Sequence, residues 1–330
     1  MASFDFCYFQ DDQWKNNHLD TLYSNFIRYP SLLHASSPPA AYIDQLRWRL
    51  NNNEIALHTG YADLQFGAFS ARWKAQNFMT QLGKSVLGKD RIRLAEFYFS
   101  IWSNQYPWIL EHPIALASAI RRLTKALELD LSDTPKDYFE RIEEAPRLFE
   151  RDAKAVCVND RCLFTTNMEV MSYPTDFQFS TSNITNIPQL EATYNDMSAV
   201  PSNDFWEENA YHRAVDQDPN TCWNTFQSPR KNDYFGLITL GTWTPKTLEI
   251  ITASAMTQPE RTFQVSVTEN GDDWTTCKTH ATSAQGASHV KLELTCGGEV
   301  NNAKAVRVTF AEDRQEPFSL CSLALNELTV

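Results

Sequence analysis

The chain has 330 residues, of which 42% are hydrophobic and 21% charged, a composition typical of a soluble globular protein with about two domains. It carries 41 acidic and 29 basic residues, a net charge of −12, and no basic run. Because phosphate binding needs clustered Lys and Arg, nucleic acid is not an expected partner. No stretch reaches the roughly 18 apolar residues of a membrane span, and the acidic N-terminal segment is unlike a signal peptide.

The N-terminal part predicts strands mixed with helices. Alternating residues indicate a buried strand over residues 1–9, and apolar spacing indicates a helix over 19–27. Short strands are expected around Asn51–Asn53, which is a turn signal. Helical spacing then recurs from Phe66 to Leu82, after Asp90 and after Pro113, and a further charged helix is expected over about 136–151.

Residues 155–200 are rich in Thr, Ser, Asn and Pro, and they predict a hairpin followed by a linker. Cys157 and Cys162 flank a predicted Asn159-Asp160 turn, so they face each other at a separation that a disulfide can bridge. Six of the seven cysteines follow residue 150. A disulfide favours the secretory pathway, either the lumen or the extracellular space. The sequon at Asn183 agrees with this. The alternative is a cytosolic chain with seven reduced thiols.

From Asn203 onward the pattern is that of an all-β domain. Seven strands are predicted, over Tyr234–Leu240, Thr247–Thr252, Thr262–Thr268, Trp274–His280, Val290–Leu294, Lys304–Phe310 and Ser319–Leu328. Short strands at this spacing predict a sandwich or jelly roll.

Local motifs in the C-terminal part occur in the order found in one known family. An acidic turn over 214–223 ends in Thr221-Cys222-Trp223, and a strand over 233–241 ends in Leu240-Gly241. A strand over 263–267 precedes Asn270-Gly271 and Trp274, and Leu325-Asn326-Glu327-Leu328 closes the series. Residues 203–330 therefore resemble the discoidin, or coagulation-factor type C, family of galactose-binding-like β-sandwiches.

The resemblance implies a ligand site and a structural cation. The family binds ligands, often sugars, through loops at one end of the sandwich, and the aromatic candidates here are Trp206, His212 and Trp243. Trp223 is expected in the core. Asp216, Asp218, Thr221 and Glu327 supply oxygens of the kind that Ca²⁺ prefers. The alternative is an Asx turn without metal.

A strand that ends in paired acids is a second motif. Asp11 and Asp12 follow the first predicted strand, and this arrangement resembles the Asp-x-Asp signature of GT-A glycosyltransferases, although Gln13 stands where the second acid is expected. In that family the acids hold Mn²⁺ or Mg²⁺ against a nucleotide sugar, so that the metal neutralises the leaving group. The alternative is an acidic pair that caps a helix or is solvated in a turn.

Two further segments, over 60–69 and 94–107, are similar to a group of fungal glycosyltransferases. The resemblance covers about residues 3–115 and implies that Asp63 is the candidate general base for the acceptor hydroxyl, with Asp90 and Glu96 as competitors. A helix cap is the alternative role for Asp63. A complete GT-A domain has a nucleotide-binding half before the acid motif, so this chain by itself is expected to transfer no sugar.

The resulting prediction is an α+β multidomain protein. Residues 1–152 form a partial, helix-rich, GT-A-like α/β domain, 153–202 a hairpin and linker, and 203–330 a discoidin-like all-β sandwich. The predicted function is that of a glycosyltransferase-like protein with an appended carbohydrate-binding module, whose partners are a nucleotide sugar, a glycan acceptor and a glycan ligand. The alternative is a non-catalytic lectin-like or adhesion protein.

Overall fold

The chain forms two compact units in a computed structural model. The model describes residues 5–12, 14–38, 49–52, 57–84, 95–111, 154–168, 177–178, 208–225, 227–282, 286–298 and 300–326. The first unit comprises Met1–Pro146 and Tyr173–Asp204, and the second unit comprises Arg147–Ser172 and Phe205–Val330. The predicted hairpin therefore belongs to the second unit, whereas the sequence grouped it with a linker.

The first unit combines short strands and helices, numbered here along the chain. Its strands are β1 (Phe6–Phe9), β2 (His34–Ser37), β3 (Arg49–Asn52), β4 (Leu57–Gly60), β5 (Ala68–Ala71), β6 (Trp108–Glu111) and β9 (Phe177–Gln178). Its helices are α1 (Leu19–Phe26), α2 (Arg72–Lys84) and α3 (Ala95–Ser103), with a 3₁₀ turn at Leu64–Phe66. One sheet has the order β1-β5-β2-β6, in which only β2 and β6 are parallel, and the other has the order β4-β3-β9.

The sequence placed a helix where β5 lies. All four residues of β5 are buried, because the strand lies between β1 and β2 and its side chains are covered on both faces. Phe69 packs there against Phe26, with ring centroids 5.7 Å apart. Apolar residues on both faces of a central strand resemble a helical run in sequence, and the observed helix begins only at Arg72.

The remaining N-terminal predictions had different outcomes. The strand at the start and the helix from Leu19 are confirmed as β1 and α1, and α3 overlaps the helix expected after Asp90. The described part of the first unit has three helices and seven short strands, so it combines both kinds of element. The helices expected over 113–151, and the sequon at Asn183, lie outside the described residues.

The second unit is a single curled antiparallel sheet of ten strands. They are β7 (Ala155–Val156), β8 (Cys162–Thr166), β10 (Trp223–Asn224), β11 (Tyr234–Trp243), β12 (Thr247–Thr252), β13 (Phe263–Thr268), β14 (Thr275–Ala281), β15 (His289–Cys296), β16 (Ala303–Phe310) and β17 (Ser319–Leu325). Their order is β10-β17-β12-β15-β14-β13-β16-β11-β8-β7. A short helix α4 (Pro259–Thr262) precedes β13, and a 3₁₀ turn spans Tyr211–Ala214. The seven strands predicted from the sequence are all present.

The two edges of this sheet meet at the 3₁₀ turn, which contacts both β7 and β10. Tyr211 of the turn is fully buried and packs 5.8 Å from the ring of Trp223. Phe164 of β8 reaches the same tryptophan from the other edge at 5.2 Å. The predicted core position of Trp223, which has no exposed surface, is confirmed. The sheet is thus curled around one core, as in a β-sandwich.

Three disulfides hold the second unit: Cys157–Cys162, Cys222–Cys321 and Cys277–Cys296. The predicted pairing of Cys157 with Cys162 is confirmed, but the turn is centred on Val158-Asn159, since the Asp160 amide donates to the Cys157 carbonyl. Asp160 adopts a left-handed conformation with φ 55°. The disulfides are consistent with a secreted or extracellular protein. Among the described helices, none is long and apolar enough to cross a membrane.

Candidate ligand-binding site

A small pocket lies at one end of the second unit, the pocket end. β12 and β16 end there, and β13 and β17 begin there. At these strand ends Thr252 of β12 pairs with Leu320 of β17, and Phe263 of β13 pairs with Phe310 of β16. Two loops, 253–262 and 311–318, therefore leave the sheet side by side. The pocket between them has a volume of about 140 Å³. Its lining residues are Thr252, Ser254, Ala255, Met256, Thr257, Thr262, Arg314, Glu316, Pro317, Phe318 and Ser319.

Backbone hydrogen bonds fix both loops. In the first loop, the Met256 amide donates to the Ala287 carbonyl over 3.0 Å, and α4 closes the loop next to β13. In the second loop, the Arg314 amide donates to the Pro229 carbonyl over 2.8 Å, and Phe318 exchanges backbone and side-chain bonds with Thr225. The pocket is therefore built on anchored backbone, which reduces the entropic cost of binding.

The floor of the pocket is apolar. Phe318 is 3% exposed and packs in a cluster with Phe235, Phe263 and Phe310, at ring-centroid distances between 5.1 and 6.0 Å. Met256 is buried beside it in the pocket lining. Because both side chains are almost fully buried, the floor offers little apolar surface and no freely exposed aromatic face.

The walls of the pocket are polar, and Arg314 is their main donor. Its Nε atom is buried and has no hydrogen-bond partner. Its guanidinium carbon lies 5.7 Å from the Phe318 ring centroid, and no carboxylate among the described residues forms an ion pair with it. Glu316 lines the same pocket, is exposed and makes no ion pair with Arg314. The exposed hydroxyls of Ser254 and Thr257 complete the polar rim.

The acidic turn predicted to hold Ca²⁺ lies elsewhere, beside the edge strand β10. The Asp218 amide donates to Asp216 Oδ1 over 3.0 Å, and the Thr221 hydroxyl donates to Asp216 Oδ2. Asn220 donates to Asp218 Oδ1 through its backbone and side-chain amides, each over 2.9 Å. The turn thus satisfies its own carboxylates, as the Asx-turn alternative expects. Among the described residues, no group of three or more His, Cys, Asp or Glu side chains is placed to hold a metal.

The aromatic candidates do not line the pocket. His212 is half-buried in the 3₁₀ turn. Trp243, 5% exposed, ends β11 at the opposite end of the sheet, where it pairs with Ala303. Buried aromatic rings offer no stacking face, so Trp243 does not present the platform expected of it. Trp206 and Glu327 lie outside the described residues.

Two of the predicted acids of the first unit, Asp11 and Asp63, form hydrogen bonds with Gln65. Asp11 and Asp12 are exposed at the end of β1, and the Asp11 amide donates to the Gln65 carbonyl over 3.0 Å. Asp63 is 1% exposed and caps the 3₁₀ turn, accepting from the Gln65 amide over 3.1 Å and from Gln65 Nε2 over 2.6 Å. The capping role considered for Asp63 is thus present. Glu96 lies in the first turn of α3, and Asp90 is outside the described residues.

Arg314 and Glu316 were not predicted from the sequence as site residues. The signal that was available is the charged run Glu312–Glu316, which separates two predicted strands and contains one arginine among acids. Their meeting with Ser254 and Thr257 depends on which strand ends share one end of the sheet. That arrangement is a property of the topology and is not visible in local sequence.

No family model matches the chain, and no curated protein matches it. Among solved structures, the chain is similar to CpGH89CBM32-5 from Clostridium perfringens, in complex with GalNAc-β-1,3-galactose, at 18% identity and a TM-score of 0.30, covering 37% of this chain and 86% of that one. It is similar to CBM32-1 of a family 31 glycoside hydrolase from the same organism, at 12% identity and a TM-score of 0.28, covering 36% and 84%.

A further similar structure is the F5/8 type C domain of a Bacteroides fragilis protein, at 16% identity and a TM-score of 0.27, covering 36% of this chain and 80% of that one. The structural neighbours are thus carbohydrate-binding modules and F5/8 type C domains, and they cover little more than a third of the chain.

Proposed function

We propose that this protein binds a glycan in the pocket between loops 253–262 and 311–318 of the second unit. The observation that carries the proposal is the pocket itself, in which the Arg314 guanidinium and the exposed hydroxyls of Ser254 and Thr257 form polar walls above the buried Phe318. The hydroxyl groups of a sugar can accept from and donate to such walls. The volume of about 140 Å³ is well below that of pockets for drug-sized ligands, roughly 300 Å³ or more. It suits one sugar unit.

The C-terminal motifs support the same function. Their order resembles that of the discoidin family, which binds ligands through loops at one end of its sandwich. The three disulfides favour a compartment in which extracellular or lumenal glycans are present. The proposal therefore corresponds to the lectin-like alternative and requires no catalysis.

The test is binding of the full chain to an array of immobilised glycans. We expect retention on at least one glycan class, and we expect Arg314→Ala to reduce it by at least tenfold, as for the loss of a charged hydrogen bond worth about 1.5–3 kcal/mol. Arg161→Ala is the matched control, because Arg161 is exposed in the hairpin loop and does not line the pocket. A folded protein that binds no glycan would overturn the proposal.

We also propose that the acidic turn holds Ca²⁺ with the help of Glu327. Its described part supplies the carboxylates of Asp216 and Asp218 and the Thr221 hydroxyl, whereas Ca²⁺ takes six to eight oxygens. Backbone carbonyls and Glu327 must complete the shell. When Ca²⁺ is added to chelator-treated protein, the melting temperature of the second unit should rise. The Asp216→Asn variant should show no such rise. An unchanged melting temperature would leave an Asx turn without metal.

A second candidate function is nucleotide-sugar binding in the first unit, as the GT-A resemblance implies. The observation that favours it is that the Asp11 backbone amide and the Asp63 carboxylate both form a hydrogen bond with Gln65. There Mn²⁺ or Mg²⁺ would be held by Asp11 and Asp12. Calorimetric titration with UDP-sugars and GDP-sugars tests this, with and without Mn²⁺. Metal-dependent binding that is lost in Asp11→Asn/Asp12→Asn supports the candidate, and absence of binding by folded protein removes it.

A further inference from the structure

The charge of Arg314 points to the chemical class of the ligand. We infer that the pocket binds a sugar that carries an oxyanion, either a carboxylate or a sulfate ester, in preference to a neutral sugar. This inference rests on the proposed glycan-binding function. The inference names a ligand class for the same pocket, and it depends on the environment of two side chains, Arg314 and Glu316.

The guanidinium of Arg314 lacks an acceptor. Its Nε atom is buried without a hydrogen bond, and no carboxylate of the described residues pairs with the guanidinium. A buried donor without a partner is destabilising, and more so when the group is charged. The backbone of Arg314 is meanwhile fixed by the Pro229 carbonyl. The side chain is therefore held at the pocket wall by its own backbone anchor and by Phe318. Its Nη donors, in contrast to the buried Nε, remain available to a ligand.

An oxyanion satisfies such a guanidinium best. The two Nη atoms lie in one plane and form a fork, and two oxygens of a carboxylate or sulfate accept from both at once. Charge-assisted bonds of this kind are roughly twice as strong as neutral ones. A pair of sugar hydroxyls would satisfy the same donors with less energy. The exposed hydroxyls of Ser254 and Thr257 remain for the ring hydroxyls of the sugar.

Glu316 makes the inference easy to test. Its carboxylate lines the same pocket and is exposed, so it repels an anionic ligand, whereas for a neutral sugar it is a useful hydroxyl acceptor. Glu316→Gln keeps the size of the side chain and removes the charge. The variant should therefore tighten binding of an acidic sugar and weaken binding of a neutral one. The two ligand classes thus predict opposite signs for one substitution.

The experiment is calorimetric titration of the full chain with methyl galacturonate, methyl galactoside and galactose 6-sulfate. We expect an acidic sugar to bind about tenfold more tightly than the neutral one, the difference between a charge-assisted and a neutral bond. Arg314→Gln should remove this preference. Glu316→Gln should tighten acidic-sugar binding about two- to fivefold, in the range of exposed charge pairs. Circular dichroism and melting temperature show whether each variant is folded.

Each outcome decides between the claims. Binding of galacturonate, of the sulfate or of both, with these variant effects, supports the inference and identifies the oxyanion. If the neutral sugar binds as tightly as the acidic sugars, and binds more weakly to the Glu316→Gln variant, the inference is overturned, whereas the proposed glycan binding stands. Acidic sugar that binds unchanged to Arg314→Gln places the site elsewhere and also overturns it. If none of these sugars binds and the glycan array is also negative, both the inference and the proposed function are rejected.

Discussion

At the scale of single residues, Gly236 marks the closest approach of two strands. It lies in β11 opposite Arg307 of β16, and a Cβ atom at this position would lie 2.1 Å from the Val306 carbonyl oxygen. Backbone cannot move as a flexible side chain can, so the strand pair excludes every residue except glycine. The next glycine of the same strand, Gly241, has no atom within 4 Å of an added Cβ.

These two glycines give a matched prediction. Gly236→Ala should destabilise the second unit by about 2 kcal/mol or more, since overpacking a core typically costs 1–3 kcal/mol. Gly241→Ala should change stability by less than about 0.5 kcal/mol, as for an ordinary surface substitution. Differential scanning calorimetry of the full chain measures both. Equal effects of the two substitutions would contradict the close approach.

A second residue-scale prediction concerns Glu249. Lys291 Nζ lies 2.9 Å from its Oε1 atom and His289 Nε2 lies 3.4 Å from Oε2, and the hydrogen bond from Lys291 is the main cause that lowers the pKa of Glu249. A carboxyl whose pKa is lower in the folded state stabilises the fold above the pKa of the unfolded chain, about 4.3. This contribution is lost as the pH falls through the lowered folded pKa.

Because the carboxylate is 36% exposed, solvent screens the interaction and the contribution stays below about 1 kcal/mol. Unfolding midpoints measured between pH 6 and 3 should therefore fall more steeply in the unsubstituted protein than in Glu249→Gln. Glu293→Gln is the control, because Glu293 is exposed on the neighbouring strand and has no ion pair among the described residues. Identical pH profiles for the protein and Glu249→Gln would show that the pair contributes nothing.

At the scale of elements, the strands of the second unit were predictable and their partners were not. Phe263, Val265 and Val267 alternate with polar residues, so one face of β13 is apolar in the sequence itself, and its observed bounds differ by one residue from the prediction. Alternation does not reveal that β8 pairs with β11, since Leu163 and Ile238 are 75 positions apart. The same limit hid the pocket, whose walls come from two separate loops. β5 was missed because its residues are buried on both faces, which removes the alternation.

The disulfides make an element-scale prediction. Cys222–Cys321 closes a loop with a sequence separation of 99, and Cys157–Cys162 one with a separation of 5. If each bond mainly restricts the unfolded chain, its removal costs about 4.7 kcal/mol for a 100-residue loop and about 2 kcal/mol for the short one. Replacing each pair by serines and measuring chemical unfolding tests this order. A larger loss of stability on removal of Cys157–Cys162 would mean that this bond acts mainly by stabilising the folded state.

At the scale of the whole molecule, the disulfides are confined to one unit. All three lie in the second unit, while Cys7, the remaining cysteine of the sequence, is not disulfide-bonded and belongs to the first. Reduction should therefore change the stability of the two units unequally. In an oxidising compartment, where disulfides form, the second unit therefore gains stability from its disulfides and the first unit does not.

Limited proteolysis of the full chain, with and without reductant, measures this difference. We expect peptides from 208–326 to appear earlier after reduction, because the second unit loses its cross-links, and peptides from 5–111 to appear at an unchanged rate. Mass spectrometry of the fragments assigns them. Acceleration of both sets to the same degree would mean that the first unit depends on the second for its stability.

The pairing of β8 with β11 also determines where this chain can be divided. The motifs that predict the sandwich begin near Asn203, but β8 protects five residues of β11, from Thr239 to Phe235, and Phe164 fills the space against Trp223. A recombinant fragment that starts at Asn203 would expose those backbone donors and acceptors as an open edge, which is a template for pairing with a second copy. Such a fragment would self-associate along β11, so its aggregation would be a property of the cut and would say nothing about the natural assembly of the protein.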